Sequence, residues 1–170
     1  LQRFLNAAVA KSFNSITVDG DTSTNDACML NATCKTTLKL QEGSAQAEEF
    51  YQALERLCIS LAQAIIRDGE GASKFVSIDI QQATSEAEAK QVAYTIAHSP
   101  LVKTALFASD PNWGRILAAV GRSGMNDLNI DAVNIYLGDV CIVDAGGKSA
   151  EYTEEQGQQA MQAEDIEITI

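Results

Sequence analysis

Histidine, proline and basic residues are scarce in this chain of 170 residues. It has one histidine, His98, and two prolines, and 12 Lys+Arg stand against 23 Asp+Glu, a net charge of −11. The shortage of cations argues against a nucleic-acid surface, because phosphate neutralisation needs clustered Lys and Arg. An acidic balance is compatible with cationic small molecules, but it is also an ordinary solubility feature. No stretch is long and apolar enough to span a bilayer, and no secretory signal is read at the start. There is no C-x-x-C pair among Cys28, Cys34, Cys58 and Cys141. With a single histidine this argues against a Cys/His zinc site. The cysteines read instead as small buried hydrophobes of a reducing cytosol or matrix, Cys58 on a helix and Cys141 in a strand.

What is present is a globular composition. An apolar fraction of 46% excludes wholesale disorder. The length fits a single domain over 1–170. Apolar spacing predicts a helix over 1–13 with no capping residue ahead of Leu1. Strands are predicted over 15–19 and 27–33. After the break at Glu42-Gly43-Ser44 comes the longest helix, 45–67, with Phe50, Leu54, Leu57, Leu61, Ala64 and Ile65 on one face. Alternation predicts a strand over 74–82. Ser85 and Glu88 form a capping box for a helix to His98. A strand is predicted over 101–108. Asp110 as cap and Pro111 as first helical residue open a helix to Val120. Strands over 133–138 and 140–144, a Gly146-Gly147 turn, a short helix from Thr153 and a strand over 164–170 complete an α+β or mixed α/β chain. Both ends read as cut through structure, so a fragment or one chain of a larger assembly is expected.

Three motifs carry the candidate chemistry. The run Asp19-Gly20-Asp21-Thr22-Ser23-Thr24-Asn25-Asp26 alternates like an EF-hand loop. Thr24 stands where such a loop needs glycine, and Leu30 where the bidentate glutamate belongs, so a calcium site is not expected. Its structural reading is a loop whose side chains bond their own backbone. Gly69-Glu70-Gly71-Ala72-Ser73-Lys74 has the composition of a phosphate loop, but it leaves a helix C-terminus, where the dipole repels anions. Asp68 and Glu70 are unfavourable there unless Arg67, Lys74 or a cationic ligand compensates. Its structural reading is an exposed loop glutamate. In Asp110-Pro111-Asn112-Trp113-Gly114-Arg115, the residues Asn112 and Arg115 lie three apart on one helical face. Here site support and simple helix packing are both open. His98 reads as a helix-end residue, and no nucleophile with its base can be assembled from spacing alone.

Taken together, Ser12-Phe13-Asn14 through Ile16-Thr17-Val18-Asp19 to Asp26, Arg67-Asp68-Gly69-Glu70-Gly71-Ala72-Ser73-Lys74, and Ser99-Pro100-Leu101-Val102-Lys103-Thr104-Ala105 with Asp110 to Gly121 closely resemble the ornithine acetyltransferase (glutamate N-acetyltransferase) family. The likeness covers nearly the whole chain. It implies a layered α/β/β/α sandwich, similar in plan to N-terminal-nucleophile hydrolases but connected differently. It also implies a precursor that cuts itself into α and β chains and exposes a threonine nucleophile. Acetyl then passes from N-acetylornithine to that threonine and on to glutamate, in the cyclic route to arginine. Some members also take acetyl from acetyl-CoA, as a substrate; no cofactor or metal is implied.

The sequence starts at Leu1 without that threonine and stops before the family's C-terminal asparagine and threonine. The oxyanion donors and a lysine belong to the α chain. No catalytic residue is therefore expected in this chain, and of the substrate contacts only Glu70 maps onto it. Asp19, Asp21, Asp110, Asn112 and Arg115 are expected as site support. Expected partners are the α chain of the same precursor and further αβ units in a heterotetramer, with no nucleic acid or membrane. The expected location is the cytoplasm, or the mitochondrial matrix if the source is fungal. The alternatives are a self-processing aminopeptidase or amidohydrolase on a similar sandwich, and a non-catalytic assembly subunit.

Overall fold

A computed structural model describes residues 1–170, which form two compact units, Leu1–Glu70 and Gly71–Ile170. No helix is long and apolar enough to cross a membrane.

The first unit is built on two helices, α1 (Gln2–Lys11) and α2 (Ala45–Arg67). Leu1 caps α1 without a side-chain bond, whereas the Ser44 side chain accepts the Ala47 N–H to open α2. Leu5 and Ala8 of α1 are buried, as are Ala47, Leu54, Cys58 and Ala62 of α2. The Phe4 ring lies 5.8 Å from that of Phe50 and 6.0 Å from that of Tyr51. Lys11 pairs with Glu55 at 2.9 Å, and the Tyr51 hydroxyl donates to the same carboxylate oxygen.

Three expectations are corrected in this unit. Residues 15–19 and 27–33 form no strand: after a 3-10 turn, Phe13–Ser15, the chain joins no sheet before α2. The polar side chains of the intervening loop take backbone donors for themselves, which competes with a ladder. Cys28 and Cys34 lie on this stretch and are exposed, so only Cys58 is fully buried; Cys141 is half-buried. The buried side of α2 is also narrower than its apolar face, since Leu57, Leu61 and Ile65 stay 57%, 50% and 53% exposed. Ten residues of α1 extend about 15 Å and twenty-three of α2 about 34 Å, so α1 cannot cover all of it.

The second unit holds a five-stranded mixed sheet and four helices. Its strands are β1 (Phe75–Asp79), β2 (Ile135–Leu137), β3 (Val140–Asp144), β4 (Gly147–Lys148) and β5 (Asp165–Thr169). They are ordered β1-β5-β2-β3-β4. β1 and β5 are parallel, and the other pairs are antiparallel. Alternation places Val76, Ile78, Ile166 and Ile168 on the core side and leaves Ser77, Asp79, Asp165 and Glu167 exposed. The helices are α3 (Glu86–Ala97), α4 (Pro100–Phe107), α5 (Trp113–Gly121) and α6 (Glu154–Ala160). Ile96, Val102, Ile116 and Met161 from these helices or their ends join Ile135, Leu137 and Ile142 of the sheet in one core.

The strand expected over 101–108 is the helix α4. Ser99 accepts the Val102 N–H and Pro100 occupies the first turn, a cap-and-proline start that outweighs the apolar run. Val102 and Ala105, three residues apart, are its buried positions. The cap of α5 is Asn112 rather than Asp110. Ser85 caps α3 as expected, but Glu88 reaches one residue further back than a capping box, accepting the Thr84 N–H at 2.9 Å. Thr153 and Gln156 form the complete box, on α6.

Candidate functional site

Glu70 owes its position to how α2 stops. The Asp68 N–H bonds back to Ala64, the Gly69 N–H bonds to Ile66, and Gly71 at φ +72 turns the chain away. Left-handed backbone of this kind suits glycine because it has no Cβ to clash. Glu70 is exposed on this turn, next to the exposed Asp68. Two carboxylates at the negative end of a helix make the turn electronegative and suited to an ammonium group. Lys74 is one of the cations that could compensate such a turn. Its ammonium donates instead to the carbonyls of Met161 at 2.7 Å and Ala163 at 3.2 Å.

Asp19 and Asp21 lie in the first unit in a self-bonded loop. The Asp21 N–H donates to the Asp19 carboxylate at 2.8 Å, and the Ser23 hydroxyl oxygen accepts from the N–H groups of Asn25 and Asp26. This is the structural reading of the run, with Gly20 at φ +93 completing the turn. No three His, Cys, Asp or Glu side chains converge in metal-ligand geometry.

Asp110, Asn112 and Arg115 are brought together in the second unit. The Asn112 amide donates to Asp110 at 3.0 Å, and its oxygen accepts the Arg115 N–H at 3.2 Å. The Arg115 guanidinium reaches back to α4, donating to the Leu101 carbonyl and the Thr104 hydroxyl, both at 3.0 Å. The three residues therefore fix α5 against α4, and each has a structural partner.

Sequence reading missed the features that hold this network in place. Ser109 stands at φ +52, where helix ends usually place glycine. Its N–H returns to Leu106 and that of Asp110 to Ala105, so the end of α4 aims Asp110 at the start of α5. Gly157 of α6 is pressed on the same segment. A Cβ there would lie 2.7 Å from Pro111 Cβ, and closer still to the Tyr152 hydroxyl. The readable signals were Ser99-Pro100 and a glycine inside a polar helix. Burial, and then the carboxylates of Glu154 and Asp110, push Tyr152 up to about 12, so its hydroxyl stays a donor, to Glu154 at 3.2 Å. A cleft of about 340 Å³ opens beside α6, its rim carrying Gln156, Gln159, Asp139, Asp165 and Glu167.

These features define an α+β chain whose motifs sit at helix ends, with one carboxylate loop exposed to solvent. A model of the ArgJ family matches residues 1–170, and the chain belongs to that family; it is the family identified from the three motifs. The arginine biosynthesis bifunctional protein ArgJ of Methylococcus capsulatus is 56% identical over 171 residues, and that of Pseudomonas fluorescens 53% over 173. Each match takes in the whole of this chain and 42% of the relative, so the chain spans well under half the length of these curated relatives. The crystal structure of the Bacillus halodurans protein superposes with a TM-score of 0.92 at 36% identity, covering 99% of this chain and 79% of that one. The chain shares its α+β sandwich fold.

Proposed function

We propose that this chain is the substrate-binding part of an arginine-biosynthesis acyltransferase, which moves acetyl from N-acetylornithine to glutamate. The observation that carries the reading is family membership over the whole chain, with Glu70 of the matching motif presented to solvent on an electronegative turn. The nucleophile is a threonine hydroxyl on residues preceding Leu1, with its own free α-amine as base. The hydroxyl attacks the acetyl carbonyl, the carbon–nitrogen bond to ornithine breaks, and an acetyl ester remains. The amine of glutamate then attacks that ester, and the threonine hydroxyl is restored. Backbone or side-chain donors of an α chain hold the oxyanion in both steps. Glu70 faces the amino groups of ornithine or glutamate on its electronegative turn, so that one pocket serves both in turn. Acetyl-CoA is an alternative donor to the same hydroxyl. The working assembly is a heterotetramer of αβ units in the cytoplasm.

In the complete enzyme, Glu70→Ala and Glu70→Gln are expected to raise KM for both N-acetylornithine and glutamate, measured by radiolabelled acetyl exchange. Unchanged kinetics would remove Glu70 from the site. Release of free acetate with no N-acetylglutamate would replace transfer by hydrolysis. The isolated 1–170 chain is expected to transfer no acetyl group.

A further inference from the structure

The apolar row on α2 has no cover within its own unit. Leu57, Leu61 and Ile65 recur every fourth residue, so they lie in line along the helix, and each is at least half exposed. The neighbouring row, Leu54 and Cys58, is buried against α1 with Leu30. A helix that is apolar on two adjoining rows is ordinarily covered on both. Ahead of it in the chain, 27–33 has the composition of a strand yet pairs with none, leaving Met29 79% exposed. An unpaired strand edge is a template for another strand. The buried apolar residues of this unit are few and half of them are alanines, Leu5, Ala8, Ala47, Leu54, Cys58 and Ala62, against the continuous core of the second unit. So little burial is poor support for 70 residues standing alone.

We infer that the Leu57–Leu61–Ile65 row is the docking face for the part of the ArgJ polypeptide that this chain does not span, which also adds a strand beside 27–33. That occupant is chosen because the curated relatives carry more than twice the length matched here, in a family of which a solved member has the same frame. The inference rests on the reading that this chain works with a second chain of the same precursor, and it names the surface used.

The test uses the complete precursor, affinity-tagged on this part, with Leu57, Leu61 and Ile65 each changed to Gln. Recovery of the second chain is expected to fall at least tenfold, while Phe107→Gln, at an exposed position of the second unit, leaves it unchanged. Full recovery with the triple variant overturns the inference. In the unaltered complete protein, hydrogen exchange should show slowed amides over 27–33; exchange as fast as in the isolated chain also overturns it. If the isolated chain dimerises through this row while recovery of the second chain is unaffected, a second copy is the occupant and the inference fails. Recovery is read without turnover, so a wild-type complex that assembles yet moves no acetyl group refutes the transfer reading and upholds the docking face.

Discussion

Replacing Gly157 by alanine sets two effects of opposite sign against each other. Inside a helix the change should favour folding by about 1 kcal/mol, because glycine is the more flexible residue in the unfolded chain. The new methyl would, however, meet Pro111 Cβ at 2.7 Å and Cγ at 2.9 Å, and the Tyr152 hydroxyl closer than either. Neither neighbour can step aside cheaply. Pro111 is a buried ring, and Tyr152 is only 5% exposed. Overpacking of this kind costs about 1–3 kcal/mol, and three close approaches to stiff groups place it at the upper end. The net expectation is a loss of about 2 kcal/mol, or a fall of about 4–8 °C in Tm for a chain of this size. Trp113, the sole tryptophan, begins α5 two residues after Pro111, so its fluorescence during a thermal melt reports on this contact. Adding Tyr152→Phe removes one of the obstacles and should recover part of the loss, a coupling expected of touching residues. A Gly157→Ala protein that melts at or above the wild-type temperature would show that helix propensity dominates and that the Pro111–Gly157 contact is not tight.

Ser109→Gly should raise stability by up to about 1 kcal/mol by removing a side chain from left-handed backbone, and Ser109→Val should lower it; urea midpoints that rank valine with glycine would refute this. Hydrogen bonds from Tyr51 and then Lys11 hold Glu55 below the usual carboxylate range. Its stabilising contribution is therefore complete above the unfolded value of about 4.3 and is lost as the pH falls through the lower folded value. Circular dichroism should show α1 and α2 loosening in that acid window, and Glu55→Gln should remove this component of the pH dependence. Tyr152 runs the other way. Its folded pKa of about 12 lies above the unfolded value, so its contribution is full below about 10 and declines as the pH rises from there towards 12. Tyr152→Phe should flatten the alkaline limb of the stability curve, and an unchanged limb would assign that limb to other groups.

Helix ends were the most legible part of the chain. Ser85 caps the helix expected of it, and α2 starts straight after the Glu42-Gly43-Ser44 break and keeps its anticipated bounds, because a hydroxyl satisfying an orphan N–H is a local event. The later strands were legible for a similar reason: Val76, Ile78, Ile166 and Ile168 alternate against one core. The segment 101–108 was misread because an apolar run of eight fits either element, and only the preceding Ser99-Pro100 told them apart. Of the candidate site, the residues around Glu70 read by themselves as an exposed loop glutamate, which the structure shows, and only the family resemblance gave it a site role. The bonds of Arg115 to Leu101 and Thr104 were not readable, since the partners lie fourteen and eleven residues away on another helix.

Composition, caps and periodicity were thus enough to set most classes of element and the acidic character, while the family came from the resemblance of three motifs. They act through neighbours a few residues apart, and the sequence states those neighbours directly. Tertiary structure alone decided which apolar faces found cover, that Lys74 serves two carbonyls, and that 15–19 and 27–33 join no sheet. Each of these depends on whether a partner arrives from a distant stretch of chain. A strand or an apolar row has no stable state of its own until its hydrogen bonds and its surface are met from elsewhere.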